Sequence, residues 1–425
     1  MRIFVASYAI PKPDRSAGDR RFFEIVGLLA RAHRVDLWTC QAEPAISGED
    51  QQRYRSALDS AGVRVFPHPA SIERILAESY YDVGFFEFFW VAETAMPTFR
   101  LAQPHAAVVI DSVDIAFARE ELMSKVCAQS VVKPEETKRR ELAMYRAADA
   151  VIAVSEEDRS LLLAEEQSLR VGVVPIILRI RTDRKDPGSK ELVFVGAFHW
   201  PPNVDGIIWF VEEIWPLIVN HVPDAIMNIV GSYPTEEIKA MAVKGGVRVH
   251  GFVPDTKPYL DRADISVAPL RYGGGMKGKV LEAMAAGLPV VTTSVGFQGL
   301  NAQNGEHLLV ADEKEMFAQC VINLLRDQEA RIRIGQAARE YTATLCAPEI
   351  ADKDLNRLLV EISSYKNKAR LPVAWMRYRA VVKAKGYVRA IVPKPLLRQI
   401  RKLISLKSNM KKLLRQIIVE NLSNH

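Results

Sequence analysis

Residues 269–293 read PLRYGGGMKGKVLEAMAAGLPVVTT, and this stretch decides the fold class. A strand-like run ends at Pro269, three glycines follow, and a helix beginning near Met276 carries Lys277 and Glu282 before Gly287 ends it. Glycines let a backbone approach a phosphate closely, and the free N–H groups of a helix start attract negative charge. The stretch therefore predicts an anion-binding turn between a strand and a helix.

The glycines and the two charged side chains of this helix suit a nucleotide. The backbone N–H groups of Gly273, Gly274 and Gly275 can point at a phosphate. A cation in the first turn of a helix opposes the helix dipole, so an anionic ligand explains Lys277 better than helix stability does. An ionised Glu282 accepts hydrogen bonds and suits the two hydroxyls of a ribose. The alternative is a ligand-free turn, but such a turn requires fewer than three glycines.

Short β-branched or aliphatic runs alternate with helix-length amphipathic stretches along the chain, which predicts βαβ units and parallel sheets. The strand-like runs lie at residues 3–7, 35–39, 63–66, 107–110, 150–154, 191–198, 225–230, 247–250, 265–268, 289–292 and 308–310. A polar stretch at residues 181–190 separates two similar series and is typical of a linker. We therefore expect an α/β protein with two doubly wound, Rossmann-like domains whose strand ends face a cleft.

The net charge of +6 is unevenly distributed along the chain. Residues 366–425 carry a net charge of +15, whereas residues 1–365 carry −9. Apolar residues recur at helical spacing between basic ones in residues 396–417, which predicts a basic amphipathic helix that binds an anionic membrane surface. The same spacing fits a coiled-coil homodimer, and a solvated tail is a third reading. Nucleic-acid binding is disfavoured because no recognition fold accompanies the tail.

The cysteines and the apolar runs indicate where the protein resides. Cys40, Cys127, Cys320 and Cys346 lie far apart without metal-ligand spacing, so we expect reduced thiols in a cytosolic protein. The N-terminus lacks the pattern of a secretion signal. The longest apolar run, residues 83–96, contains two glutamates and is a poor membrane span. We expect a cytoplasmic protein, peripheral at the inner face of the cell membrane.

At residues 282–291, the sequence EAMAAGLPVV resembles the donor-site motif of the retaining nucleotide-sugar glycosyltransferases of family 4 (glycosyl transferases group 1). Accessory segments agree in order, namely RAADAVIAVSEED at 146–158, LVFVGAF at 192–198, VRVHGFVPD at 247–255 and ADISVAPL at 263–270. The resemblance covers roughly residues 1–365 and implies the GT-B fold. It implies an acceptor-binding domain at 1–175, a nucleotide-sugar-binding domain at 190–345 and a helix at 346–365 that crosses back, followed by the basic tail.

Three positions depart from the family pattern. The first glutamate of the family's Glu-x7-Glu pair would stand at Gly274, so its contacts to the transferred sugar fall to the backbone of residues 273–276. The family often supplies an arginine and a lysine to the diphosphate from the loop at residues 196–200, which has neither here. A family histidine is replaced by Ala116. The basic side chains that could replace the missing cations are Arg271, Lys277 and Lys279.

Four further residues are candidates, each with an alternative. The family places Gly18 against the donor diphosphate, but Gly18 could equally be a ligand-free glycine at a helix start, where Arg20 and Arg21 oppose the dipole. Asp114, a catalytic candidate together with Lys277, would face the acceptor hydroxyl or cap the following helix. The two remaining donor-binding candidates are Asn203, for which helix capping is the default, and His199, in a loop after a strand.

The resemblance implies transfer of a glycosyl group from a nucleotide diphosphate sugar to the hydroxyl of a saccharide or lipid-linked acceptor, with retention. The leaving phosphate would take the acceptor proton. An Asp-x-Asp metal motif is missing where it would be needed, so we expect a metal-independent transferase with no cofactor besides the donor. The departures from the pattern would also fit an alternative, a catalytically weakened GT-B protein that serves as a scaffold or partner subunit.

Overall fold

Two parallel β-sheets carry the fold, which confirms the predicted α/β class. A computed structural model describes residues 1–41, 48–126, 133–183, 186–273 and 275–364. By packing, the chain divides into two units. Among the described residues, the larger unit comprises Met1–Ala70, Tyr81–Pro97 and those from His105 onward and contains both sheets, while the smaller comprises Ser71–Tyr80 and Thr98–Pro104. The predicted basic tail, Cys127 and Gly274 lie outside the described residues.

The first sheet, within the described residues, has seven strands. They are β1 Arg2–Ser7, β2 Arg34–Thr39, β3 Val63–Phe66, β4 Val83–Glu87, β5 Ala107–Asp111, β6 Ala150–Ala153 and β7 Val171–Val173. Their order is β3-β2-β1-β4-β5-β6-β7, and every pairing is parallel. The helices of this half are α1 Ala17–Ala32, α2 Gly48–Ser60, α3 Ile72–Glu78, α4 Phe89–Ala102, α5 Ala116–Val126, α6 Pro134–Ala147 and α7 Glu156–Glu165.

Strands β4 and β7 are absent from the strand-like runs found in the sequence. Every residue of β4 is buried between β1 and β5, so the strand shows no alternation, and its apolar run continues into α4. A fully buried strand cannot be distinguished from a buried helix by periodicity. Strand β7 has only three residues, one of them Gly172. In the described parts of the chain, no helix is both long and apolar enough to span a membrane.

The second sheet, in the part that the structure describes, contains β8 Glu191–Val195, β9 Ile226–Val230, β10 Val247–Gly251, β11 Ile265–Ala268, β12 Val290–Thr292 and β13 Leu309–Val310. Their order is β10-β9-β8-β11-β12-β13, again parallel throughout. Its helices are α8 Pro201–Trp209, α9 Trp215–His221, α10 Glu236–Ala240, α11 Lys257–Arg262, α12 Gly278–Ala285, α13 Ser294–Phe297, α14 Lys314–Arg326 and α15 Gln328–Cys346. A π-helical turn, Phe210–Ile214, joins α8 to α9, and a 3₁₀ turn, Met241–Val243, follows α10.

The last described helix, α16 Pro348–Ser364, packs on the first domain. Its apolar side chains belong to the core that also holds β1 and the buried face of α1; they are Ala351, Leu355, Leu358, Leu359 and Ile362. Added side-chain atoms at Gly172 in β7 would lie 3.1 Å from Leu358, so the helix covers that strand closely. The chain therefore returns to the first sheet after completing the second.

Candidate functional site

A cleft with a cavity of about 590 Å³ lies between the carboxyl ends of the two sheets. The loops after β1, β4 and β5 line it from the first sheet, and the loops after β8, β9, β10 and β11 line it from the second. Ligands of doubly wound α/β proteins bind at the carboxyl ends of the strands. The cleft therefore collects the loops in which binding residues are expected.

Two helix N-termini converge on this cleft. A Cβ atom added at Gly278, the first residue of α12, would lie 2.2 Å from the Cβ of Ala17, the first residue of α1. The absence of a side chain at Gly278 is therefore what lets the two helices approach. Gly18 also lines the cleft, in the first turn of α1, where Ser16 caps the helix by accepting a hydrogen bond from the Asp19 N–H. Both helices direct their positive dipole ends to one place.

The glycine-rich turn before α12 has a backbone that suits glycine. Gly273 and Gly275 have φ angles of 132° and 67°, which favour glycine strongly. A Cβ at Gly275 would also lie 3.4 Å from the Cβ of Asp114, which comes from the first domain. Gly273 lines the cleft, whereas Gly274 lies outside the described residues. The turn therefore brings bare backbone to the boundary between the two domains.

Lys277 lines the cleft at the start of α12, although helix α12 begins at Gly278 and not near Met276 as predicted. Its ammonium group donates hydrogen bonds to the carbonyl oxygens of Gly273, at 3.3 Å, and Gly275. The side chain is 9% exposed, and this burial lowers its pKa to about 8, with Asp158 and Asp114 opposing the shift. The cation thus lies within the turn, close to the converging helices.

Lys279 lies two residues after Lys277, in the first turn of α12, and contacts residues on either side of the loop that follows β8. Its ammonium group donates a hydrogen bond to the side-chain oxygen of Asn203 and lies 4.8 Å from the ring centre of Phe194. Burial, and then repulsion from Lys277, lowers the pKa of Lys279 to about 7. A lysine of α12 therefore approaches the loop in which the family places an arginine and a lysine.

The capping role predicted by default for Asn203 is wrong. Helix α8 begins at Pro201 with Trp200 at its N-cap, so Asn203 lies inside the helix. Its side-chain N–H donates to the carbonyl oxygen of Ala197 at 2.8 Å, while its oxygen accepts from Lys279. Asn203 therefore fixes the loop after β8 and orients a cation.

The carboxylate of Glu282 forms an ion pair with a residue of the first domain. Its Oε1 accepts hydrogen bonds from the guanidinium of Arg20, at 2.7 Å, and from the hydroxyl of Thr256, at 3.1 Å. Arg20 belongs to α1, so this ion pair joins the two domains across the cleft. A ribose bound to Glu282 would have to displace or share these donors.

Of the donor-site candidates Arg271 and His199, only His199 lines the cleft. Arg271 is half exposed, pairs with Asp205 at 2.9 Å and is not among the residues that line the cleft. The predicted replacement of the missing cations by Arg271 is thus not supported by its position. His199 is exposed at the mouth of the cleft, with its ring centre 5.6 Å from that of Tyr233.

Asp114 lies at the junction of the two domains and does not cap helix α5. Its carboxylate pairs with Arg119, and its second oxygen is buried without a hydrogen-bond partner among the described residues. The cap of α5 is Glu141, whose carboxylate accepts from the N–H groups of Ala116, at 3.1 Å, and Phe117, at 3.0 Å. Burial raises the pKa of Glu141 to about 7. The buried Glu141 thereby fixes the start of the helix that holds Arg119 beside Asp114.

Several cleft residues gave no signal in the sequence. Tyr8, Phe88 and Trp90 line the cleft at the ends of β1 and β4, and Arg15 stacks over the ring of Phe252 from the other domain, 3.6 Å from its centre. Phe88 and Trp90 follow β4, a strand that the sequence did not predict, so their position at a strand end was not expected. Across the described ranges, no group of three or more His, Cys, Asp or Glu side chains is arranged to hold a metal ion.

Comparison with known proteins agrees with this geometry. Residues 189–327 match the family described as glycosyl transferases group 1. The chain carries a glycosyl transferases group 1 domain. This domain contains β8 to β13, the glycine-rich turn and both lysines.

Among the curated relatives of the chain, two match it over part of its length. An uncharacterized 44.6 kDa protein in the cps region of Klebsiella pneumoniae is 29% identical over 158 residues, which are 35% of this chain and 41% of that protein. Phosphatidyl-myo-inositol mannosyltransferase of Mycobacterium leprae is 30% identical over 175 residues, which are 38% of this chain and 45% of that protein. The matched segments thus span less than half of each relative.

Solved structures extend the likeness to both domains. Sucrose-phosphate synthase from Thermosynechococcus elongatus has a TM-score of 0.67 at 15% identity, covering 86% of this chain and 100% of that one. HepE from Anabaena, solved with UDP and glucose, has a TM-score of 0.61 at 14% identity, covering 85% and 100%. At such identities the likeness concerns the fold. The two domains flanking the cleft are those of the GT-B fold, as the sequence predicted.

Proposed function

We propose that this protein is a metal-independent glycosyltransferase that moves a sugar, with retention, from a nucleotide diphosphate sugar to a hydroxyl of a saccharide or lipid-linked acceptor. Its role would lie in the synthesis of a surface polysaccharide, lipopolysaccharide or glycolipid. The M. leprae relative is named as a mannosyltransferase, and the K. pneumoniae relative is encoded in a cps region, which supports this class of reaction. The donor itself is the only small molecule that the reaction requires besides the acceptor.

The observation that carries the proposal is the convergence of the α1 and α12 N-termini at Ala17 and Gly278. Two dipole ends, the turn at Gly273 and Gly275 and the ammonium group of Lys277 meet in one cleft. A diphosphate is the ligand that gains most from such an arrangement, because its charge can interact with both helices at once.

The same arrangement favours departure of a nucleotide diphosphate. When the bond between the anomeric carbon and the diphosphate breaks, negative charge grows on the diphosphate oxygens. Fixed cations and backbone donors aimed at those oxygens lower the barrier because their interactions strengthen in the transition state. Lys277 supplies one charge, and Lys279, held by Asn203, supplies another near the loop that lacks the family's basic residues. The acceptor hydroxyl adds to the anomeric carbon, and its proton passes to a leaving phosphate oxygen.

A nucleotide-binding measurement tests the proposal most directly. We expect UDP, GDP or ADP to raise the melting temperature of the full chain by a few degrees, because a ligand that binds only the folded state stabilises it. The nucleoside with the same base, which lacks the diphosphate, is the matched control and should give a much smaller shift. Equal shifts by nucleotide and nucleoside would contradict the phosphate site.

The rival function, a scaffold or partner subunit with weakened catalysis, has one specific observation in its favour. Glu282 is paired with Arg20 across the cleft, so the contact proposed for the ribose is occupied within the protein. A scaffold would keep that ion pair permanently and would not be stabilised by any of the three nucleotides. An enzyme exchanges the pair for the ribose hydroxyls, and one nucleotide then stabilises it.

The basic tail at residues 366–425 is proposed to hold the enzyme at an anionic membrane surface, where a lipid-linked acceptor would be found. Its net charge of +15 is the basis of this proposal, since each lysine or arginine near such a surface contributes about 1 kcal/mol. We expect vesicles containing an anionic phospholipid to sediment the full chain but not a chain ending at residue 365. Equal sedimentation of both would favour the other roles considered for the tail, a coiled-coil homodimer or a solvated segment.

A further inference from the structure

Three aromatic side chains line the cleft from the first domain. Tyr8 follows β1, and Phe88 and Trp90 follow β4, the neighbouring strand of the sheet. Tyr8 is 43% exposed, and Phe88 and Trp90 are half-buried. The rings of Phe88 and Trp90 stack with their centres 4.2 Å apart and their planes inclined by 14°. An aromatic surface of this kind gains stability when an apolar ligand face covers it.

Phe88 is held in a backbone conformation that a bulky residue rarely adopts. Its φ angle is 61°, and its N–H donates a hydrogen bond to the carbonyl oxygen of Asp111 at 2.8 Å. Val113, which follows the adjacent strand β5 and also lines the cleft, has a φ angle of 60°. Such conformations cost of order 1–3 kcal/mol each and cluster at functional sites. The strained turn sets where the Phe88 ring, and with it Trp90, lies on the cleft wall.

A buried carboxyl group, that of Glu87, lies next to these rings in the chain. Glu87 directly precedes Phe88, is buried, lines the cleft and accepts a hydrogen bond from the Tyr8 N–H at 3.2 Å. Burial, followed by the nearby charge of Asp19, raises the pKa of Glu87 well above its ordinary range. A carboxyl group accepts hydrogen bonds from hydroxyls and, when protonated, also donates one. The wall therefore combines aromatic faces with groups that pair with hydroxyls.

We infer that the surface formed by Tyr8, Phe88 and Trp90 binds a neutral pyranose unit of the acceptor. A pyranose has an apolar face of C–H groups, which suits the negative face of an aromatic ring, and a rim of hydroxyls, which suits Glu87. This inference rests on the proposed function, because it names the acceptor of that reaction. It commits to a saccharide, and not the phosphate of a lipid carrier, as the group that enters the first-domain side of the cleft.

Of the acids beside this surface, one is compensated by an arginine and another is buried. The acids closest to Phe88 along the sheet are Glu87 and Asp111, with Asp19 near enough to act on Glu87. The arginine among them, Arg21, already pairs with Asp111 at 2.7 Å and donates to the Val174 carbonyl oxygen. Arg21 thus compensates Asp111, while Glu87 is left to pair with hydroxyls of a ligand at the cleft wall.

Saturation-transfer NMR on the full chain tests this inference. The probes are the methyl α-pyranosides of glucose, galactose and mannose, with farnesyl phosphate as the lipid phosphate. We expect saturation of the ring C–H protons of at least one pyranoside, falling at least about fivefold in Trp90→Ala and in Tyr8→Ala, since stacking on the ring is lost. Trp209→Ala is the matched control, because Trp209 is outside the cleft lining, and should leave the signal unchanged.

Each outcome decides the inference. An unchanged pyranoside signal in both Trp90→Ala and Tyr8→Ala overturns it, as does the lack of any pyranoside signal in the unsubstituted protein. Binding of farnesyl phosphate that depends on Trp90, without pyranoside binding, also overturns it. The melting temperature of each variant without ligand shows that it is folded, and nucleotide-induced stabilisation of the same variants tests the donor site separately. A pyranoside signal that depends on Trp90, in a protein that no nucleotide stabilises, would retain the saccharide surface and reject the transferase.

Discussion

Replacement of Lys277 by alanine is expected to lower the turnover number for sugar transfer by at least tenfold. The ammonium group lies in the cleft at the turn before α12, and the loss of one donor to a developing anion costs about 10²–10³ in rate in other enzymes. The control is Lys239→Ala, which removes an exposed lysine paired with Glu236 on α10. Near-normal turnover in Lys277→Ala would contradict the donor-site assignment.

Replacement of Glu282 by alanine should lower kcat/KM for the donor by at least tenfold, through a different contact. Its effect should fall mainly on nucleotide affinity, because a ribose is bound equally in the ground state and the transition state. Arg20→Ala separates the ion pair from the ribose contact, since it removes the partner of Glu282 at 2.7 Å while leaving the carboxylate in place. If Glu282→Ala retains full nucleotide affinity, the ribose assignment fails.

The affinity for the stabilising nucleotide is also expected to fall as the pH rises from about 7 to about 9. Burial lowers the pKa of Lys279 to about 7 and that of Lys277 to about 8, so both ammonium groups lose their protons in the free protein across this range. A bound diphosphate favours the charged forms, and binding should therefore take up protons. Calorimetry in two buffers with different ionisation enthalpies measures this uptake, which Lys279→Met should reduce. An affinity that does not vary over this range would place the diphosphate away from both lysines.

The sequence identified residues of α12 and the preceding turn that line the cleft, because the information in that segment is local. The glycines, Lys277 and Glu282 lie within ten residues of one another, and their strand–turn–helix context is read from the same segment. The structure brings them to one cleft with Gly18, which the sequence places far away. The contact of Gly278 with Ala17 depends on how two domains meet, which a linear pattern does not encode.

The first-domain side was poorly predicted for a physical reason. Strand β4 is buried on both faces and merges with an apolar helix, so its end, where Phe88 and Trp90 lie, could not be located. Glu141 appeared as part of an ordinary helix, because capping of another helix leaves no mark in the sequence. The role of Asn203 was misjudged since Pro201 begins the helix two residues earlier. The roles of residues that act through long-range contacts therefore could not be predicted from the sequence.

Replacement of Arg21 by methionine is expected to destabilise the first domain by about 3–5 kcal/mol. The Arg21 guanidinium is 1% exposed, pairs with the fully buried Asp111 at 2.7 Å and donates through two nitrogens to the carbonyl oxygen of Val174. Its removal leaves a buried carboxylate without its cation and a buried carbonyl without its donors. Urea-induced unfolding followed by circular dichroism measures the loss in the free energy of unfolding.

A matched substitution on the same helix distinguishes the buried ion pair from the loss of any arginine. Arg31→Met removes an exposed arginine from the last turn of α1 and should cost less than about 1 kcal/mol. The double variant Arg21→Met with Asp111→Asn should recover part of the loss, because no uncompensated carboxylate remains, although the Val174 carbonyl still lacks its donors. Additive losses in the double variant would show that Arg21 stabilises the domain through its contact with Val174 and not through Asp111. In that case Arg21 would hold the segment that follows β7 in place, and not the end of β5.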